Sequence, residues 1–263
     1  MSQHTVPTAA PTTDQAADPT AGQAADQAAQ YGAAVASVYD SMIASAMPTG
    51  ADVERLRPYV TGTRVLEVGV GTGRVAVPVA GLAAELVGVD NSGPMLERFR
   101  AKGVPANVTL VRADFRRPLP LTGRFGAAYA TMGSLACVES CEELTAALAH
   151  VREVLEPGAT LSMEYYATAA YRPLAQAGPV TMPTPNGTGT ATFTTTLDDA
   201  DLLTMATRVE EEDRPPVEFA ERILLVGREE VTGCLRRAGF EVERVIPAEG
   251  PAPYDWYVAR AAA

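Results

Sequence analysis

The sequence predicts an α/β fold: one doubly wound, mostly parallel seven-stranded sheet with an antiparallel insertion after the fifth strand. Three observations predict it. From residue 61 onward, short and almost continuously apolar runs alternate with stretches of helical periodicity, the pattern of a parallel sheet covered on both faces. That alternation breaks after the fifth run, where residues 188–226 read with a period of two, as half-exposed antiparallel strands do. The chain has 263 residues, 47% of them hydrophobic, enough to bury one large core.

Taken in order, residues 1–30 are Ala, Thr, Gln, Pro and Asp with almost no large apolar side chains. Such a segment cannot offset its ordering entropy and is expected to be a disordered tail. A single domain is expected over 31–263, opening with a helical cap over 31–60 whose stripe is Val35, Val38, Tyr39, Met42 and Ala46, ended by Pro48 and Gly50. Strands are expected at 64–70, 85–90, 108–114, 125–131 and 159–166. Between them lie three helical stretches: GRVAVPVAGLA, SGPMLERFRAKG with Ser92 as N-cap, and SCEELTAALAHVREVLEPG. In the last, Leu144, Leu148, Val151 and Leu155 form the stripe, and Pro157-Gly158 are expected to stop it. The insertion, 168–226, opens as a Pro/Gly-rich loop and continues as antiparallel strands that turn at Asp198–Asp201. A helix ending at Gly239 and two strands, EVERVIP and DWYVAR, close the chain. An insertion at this place lies beside the carboxyl ends of the strands, where ligands bind in such sheets, so it reads as a lid or substrate wall.

Composition excludes several partners. With 21 basic against 32 acidic residues the net charge is −11, which repels phosphate backbones and anionic lipid, so no nucleic-acid and no membrane partner is expected. No stretch approaches 18 apolar residues and the N-terminus lacks a signal-peptide pattern, which points to the cytoplasm. Cys137, Cys141 and Cys234 have no C-x-x-C spacing and only His150 for company, so no metal site is expected. Oligomeric state is not readable.

Residues 65–77, V-L-E-V-G-V-G-T-G-R-V-A-V, carry glycines at alternate positions, Gly69, Gly71 and Gly73. A P-loop needs a lysine and a hydroxyl residue after its glycines, and here Arg74 and Val75 follow. The dinucleotide fingerprint G-x-G-x-x-G is met except that the third glycine comes one place early, so on the loop alone that reading stays open. The surrounding acids tip it. Glu67 suits a cation, and beside a pyrophosphate it would be repulsive by on the order of 1–4 kcal/mol. Asp90 ends the second strand, where an acid takes ribose hydroxyls, and Asp114-Phe115 ends the third, where an acid can meet an exocyclic amine and an aromatic a base. An ammonium, a ribose diol and an adenine amine would satisfy all three.

V-L-E-V-G-V-G-T-G-R, V-G-V-D-N-S-G-P-M-L, R-A-D-F and F-G-A-A-Y-A-T-M-G-S-L resemble the successive motifs of class I S-adenosylmethionine-dependent methyltransferases, over about residues 35–165. The resemblance implies the Rossmann-like methyltransferase fold and S-adenosylmethionine as cofactor, with S-adenosylhomocysteine as product. It implies that Gly69, Gly71 and Gly73 admit the methionine and ribose portion and that Glu67 lies near the ammonium. Asp90 would bind the ribose, Asn91 and Met95 lie against the adenine, and Asp114 and Phe115 meet its edge. Thr131, after Ala130, would approach the methionine tail, and Tyr39 resembles the cofactor-capping tyrosine of the small-molecule subset.

No catalytic residue is singled out. His4 lies in the tail and His150 falls off the apolar stripe of its helix, so it is expected in solvent. The fourth strand ends Y-A-T-M-G-S, without the Asn/Asp-Pro-Pro-aromatic motif of enzymes that methylate base or amide nitrogens. Met132, Glu164, Tyr165 and Tyr166 stand at strand ends as candidates for the substrate pocket. The function expected is methyl transfer to nitrogen or oxygen of a small molecule, a specialised natural-product metabolite. The alternatives are C-methylation, cyclisation or another non-standard reaction on the same cofactor, or a non-catalytic partner subunit.

Overall fold

The computed structural model describes residues 32–36, 38–40, 42, 49–212, 214–249 and 253–262. The expected tail, 1–30, lies outside the described residues, as do Ala46 and Pro48 at the end of the expected first helix. Residues 32–36 and 38–39 are helical, and Val35, Ala36 and Val38 are buried.

Helix α1 (Gly50–Val60) leads into β1 (Arg64–Val68), α2 (Ala76–Ala80), β2 (Glu85–Asp90), α3 (Gly93–Lys102), β3 (Val108–Arg112) and β4 (Phe125–Ala130). A single 3₁₀ turn, Ser134–Ala136, precedes α4 (Cys141–Glu153) and β5 (Leu155–Tyr166). Short helices α5 (Thr168–Tyr171) and α6 (Leu174–Ala177) open the insertion, which continues as β6 (Val180–Pro183), β7 (Gly189–Leu197), β8 (Leu202–Glu211) and β9 (Val217–Leu224). Helix α7 (Arg228–Arg237), β10 (Phe240–Ile246) and β11 (Tyr254–Ala261) complete the chain.

The main sheet has seven strands in the order β10-β11-β5-β4-β1-β2-β3, and β6-β7-β8-β9 form a separate four-stranded sheet. The first five strands pair in parallel; β11 runs antiparallel to both β5 and β10, and the insertion is antiparallel throughout. This is the predicted architecture. The order reverses between β1 and β4, and such a switch point opens a crevice at the strands' carboxyl ends.

Strand alternation feeds two apolar layers. Leu66 and Val68 join Phe125, Leu144, Leu148 and Leu161 on one face. Val65 joins Leu56, Leu86, Leu96, Phe99 and Tyr129 on the other. Glu67 therefore shares its side with Val65 and is carried into the second layer.

Four local expectations need correction. Helix α4 stops at Glu153, and Leu155 is the first residue of β5, fully buried opposite Phe125. Pro157-Gly158 are not a helix stop but an irregularity inside β5, where the register to β4 shifts and Gly158 takes φ 78°. The helix after the glycine loop is only Ala76–Ala80. His150 is half-buried rather than solvated, its Nδ1 3.3 Å from the carbonyl oxygen of Phe115. Among the described residues no helix is long and apolar enough to cross a membrane.

Candidate functional site

The loop after β1 and the ends of β2, β4 and β5 come together at the switch point, and the described residues of 32–40 lie against them. Three contacts seat that segment. Gly32 lies against Ser92 so closely that an added Cβ would stand 2.2 Å from its Oγ. Asp40 accepts hydrogen bonds from the Thr72 hydroxyl in the glycine loop (2.7 Å), and from Arg98 (2.7 Å) and Lys102 (3.0 Å) on α3. Burial alone would raise this carboxyl, but the three donors outweigh it and hold Asp40 below the ordinary carboxylate range. Tyr39 donates to the Met132 sulfur at 3.2 Å, just past β4. Burial pushes the Tyr39 hydroxyl up to about 12, and the charges of Arg74, Glu67 and Asp90 all bear on it.

The glycines take φ 77°, 53° and 83° at 69, 71 and 73, a region L side chains avoid. Their surroundings differ. A Cβ at Gly69 would meet Ser134 at 2.4 Å and one at Gly73 the Phe99 ring at 2.4 Å, so the protein's own side chains close in there. At Gly71 the nearest neighbour would be the Met95 methyl at 3.5 Å, an ordinary contact with a flexible side chain rather than the close approach found at 69 and 73. The Gly71 N–H donates to Asp90 (2.8 Å), whose other oxygen accepts from the Ser92 N–H (2.8 Å). Enclosure raises the Asp90 carboxyl although both N–H groups oppose the shift. Ser92 in turn caps α3 by accepting from Met95 N–H, as expected, while Asn91 is exposed.

Glu67 is 2% exposed, and burial drives its carboxyl up to about 8. Tyr129, its register partner on β4, donates to it at 2.7 Å and pulls the other way, as does the charge of Arg74. Arg74 pairs with Asp52 of α1 at 3.4 Å, with side-chain exposures of 7% and 14%.

On the β4–β5 side, Thr131 is buried and Met132 takes φ 54°, unusual for a residue with a side chain. That conformation aims the Met132 N–H at Glu164, 2.6 Å away. Burial raises Glu164 to about 7 against the pull of this N–H; Asp52 adds to the rise, while Arg74 and Arg55 oppose it. Tyr166, two residues on and so on the same face, donates to Glu221 of β9 at 3.3 Å. Its ring meets Tyr171 and Tyr254 edge-on at 4.8 and 5.1 Å.

Two expected site residues are engaged by protein partners of their own. Tyr165 lies on the opposite face of β5, is 1% exposed, and donates to the Leu224 carbonyl at 2.8 Å. It packs in the core. Asp114 is engaged by Arg116 at 2.7 Å, two residues away; burial opposes the resulting downward shift of its carboxyl but does not cancel it. Phe115 stands beside it, half-buried. Asp40, Asp52, Arg74, Tyr129 and Glu221 were not foreseen. A hydroxyl inside the apolar run F-G-A-A-Y-A was a legible signal for Tyr129, and the arginine directly after the third glycine for Arg74. The other three depend on partners distant in sequence.

Residues 65–158 match the family described as a methyltransferase domain. The chain is similar in structure to the CcbJ methyltransferase from Streptomyces caelestis, with a TM-score of 0.78 and 28% identity over 90% of this chain and 99% of that one. It shares its fold with CalS10, an amino pentose methyltransferase from Micromonospora echinaspora solved with S-adenosylmethionine bound (TM-score 0.64, 17% identity, 95% and 100% covered). It also shares it with the sugar N-methyltransferase KedS8 from a Streptoalloteichus species (TM-score 0.64, 16% identity, 100% and 99% covered). No curated protein sequence matches the chain.

Proposed function

We propose that this chain, a methyltransferase that uses S-adenosylmethionine, places the methyl group on an amine nitrogen of a small molecule from natural-product metabolism. The residues present fit the cofactor. At Gly71 only the flexible Met95 methyl lies within contact of an added Cβ, Asp90 presents a carboxylate pre-set by two N–H groups, and Glu67 a buried carboxyl suited to an ammonium. When bound, the cofactor supplies a methyl group made electrophilic by its sulfonium.

Glu164 carries the amine reading. Among the described residues only the Met132 N–H hydrogen-bonds it, and with a pKa of about 7 it can take the proton of an incoming ammonium near neutrality. Tyr166 and Glu221 extend the same face toward the insertion, which serves as the acceptor wall. A carboxylic acid is already ionised near neutrality and would gain nothing from a carboxylate in this place, whereas a phenol could use it as a base, so the phenol panel decides between the two. The amino pentose and sugar nitrogen substrates named for CalS10 and KedS8 agree with this chemistry.

The test is turnover of the purified protein with amine, phenol and carboxylic acid panels, beside Glu164→Gln. Wild-type kcat/KM should rise as pH climbs through about 7. Glu164→Gln should lose roughly 100-fold in kcat and flatten that profile. Methylation of phenols in preference to amines, or an unchanged pH profile in Glu164→Gln, overturns the reading.

A further inference from the structure

We infer that the acceptor carries an apolar arm about 13 Å long, laid along one face of the insertion and ending in a cavity between Val38 and the β8–β9 turn. The inference rests on the amine reading only for the place of the nitrogen, beside Glu164. Strand pairing sorts the insertion's side chains. β8 and β9 pair without a register shift, with Met205 opposite Glu221, Thr207 opposite Phe219 and Val209 opposite Val217. Directly opposed residues share a face, as do alternate residues along a strand, so these six form one strip. Thr207 and Val209 are buried and the other four half-buried. Arg208, Glu210, Glu218 and Arg222 take the other face and are exposed.

Two separate contacts tie the strip to the site. At one end Tyr166, on the same face of β5 as Glu164, donates to Glu221 at 3.3 Å. At the other, Val38 lines the cavity and directly precedes Tyr39, whose hydroxyl meets the sulfur of Met132, the residue whose N–H holds Glu164. From Glu221 to Val217 the antiparallel strand covers about 13 Å. The cavity measures about 310 Å³ and is walled by Val38, Val209, Pro215, Pro216 and Val217, a size at the lower end for small-molecule pockets. Its two charged lining residues answer each other: Arg214 pairs with Glu211 at 3.6 Å, and Glu211 also accepts from Asn186 (3.1 Å) and Thr188 (3.3 Å). The Arg214 side chain is 66% exposed, so the pair stands at the rim. A polar arm would exchange water for valine and proline carbon at a cost, whereas an alkyl arm gains from the same exchange.

The experiment is calorimetry on the full chain saturated with S-adenosylhomocysteine, using two probe series: butylamine, octylamine, decylamine and dodecylamine, and the four alcohols of the same lengths. Affinity should rise roughly threefold per added methylene in both series and level off at the dodecyl probes. Val217→Phe, which fills the cavity from the strip, should flatten that rise. Pro215→Trp, at an exposed position of the turn, should flatten it as well and serves in its stead if Val217→Phe does not fold. Affinity independent of chain length in the wild type, or a rise that survives in the folded variants, overturns the arm. A rise that the variants abolish, with alcohols binding as well as amines at every length, keeps the arm and overturns the amine reading instead.

Discussion

The two sheets of this molecule treat charge in opposite ways. In the seven-stranded sheet, Glu67, Asp90 and Glu164 sit at the carboxyl ends of parallel strands, enclosed, and each is held by a named O–H or N–H donor. All three are raised above the ordinary carboxylate range, by burial first. In the four-stranded sheet, Arg208 bridges Glu210 and Glu218, and Arg222 reaches Glu139 and Asp198, all in solvent. Solvated pairs of this kind contribute little to stability. Among the described residues the insertion buries apolar and hydroxyl side chains, Leu203, Val209, Ile223 and Leu224 together with Thr184, Thr195 and Thr207, and no charged one. Charge in the first sheet is tuned for a ligand, whereas charge in the second keeps an antiparallel surface soluble around an apolar underside.

Substitutions should grade along this contrast. The largest effect is expected at Gly73→Ala, where the new methyl would stand 2.4 Å from the Phe99 ring on a backbone of φ 83°. Strain and overpacking together should cost about 3 kcal/mol, read as a fall in Tm; an unmoved Tm would show that the loop relaxes freely. Next comes Asp90→Ala, which removes the acceptor of two N–H groups and, on the proposed reading, the ribose partner. Affinity for S-adenosylmethionine should drop by roughly 100-fold, with the acceptor KM of the saturated enzyme retained; unchanged affinity in calorimetry would detach Asp90 from the cofactor.

A smaller effect concerns Glu67. Its folded pKa of about 8 lies above the ordinary 4.5, so between those values the folded state holds a proton that the unfolded state has released. Stability must then fall as pH rises through that window and level off above it. Glu67→Gln should remove this component from the Tm–pH curve, and Tyr129→Phe should move it to higher pH, since the Tyr129 hydroxyl lowers Glu67. Parallel curves for wild type and Glu67→Gln would refute the assignment. The smallest effect belongs to the insertion: Arg208→Ala should leave Tm where it is, and a clear loss would mean its ion pairs are not merely solvated.

The fold was legible because strand and helix periods are local. Apolar runs such as R-V-L-E-V and E-L-V-G-V-D announce parallel strands, and the switch to period two announces the insertion. Boundaries misled where local chemistry had two uses: Pro157-Gly158 ends many helices but here bends a strand already begun at Leu155. Within the site, glycines and strand-end acids were visible as types. Which face a residue takes was not: Tyr165 and Tyr166 are adjacent, yet one bonds Leu224 in the core and the other faces Glu221. Nor could sequence show that Arg116 would engage Asp114, or that Asp40 would gather three donors from two elements.

Asp40 has one more consequence, for timing. The described residues ahead of α1 are fastened by a carboxylate whose two cationic partners, Arg98 and Lys102, are each 42% exposed. Salt screens such partners, with a Debye length of about 8 Å at physiological ionic strength, but scarcely touches the enclosed Asp90. Exchange of spent for fresh nucleoside is therefore expected to quicken with added salt while equilibrium affinity changes less, which stopped-flow displacement would measure. Product departure, rather than methyl transfer, then becomes the step that the cell's ionic conditions can pace.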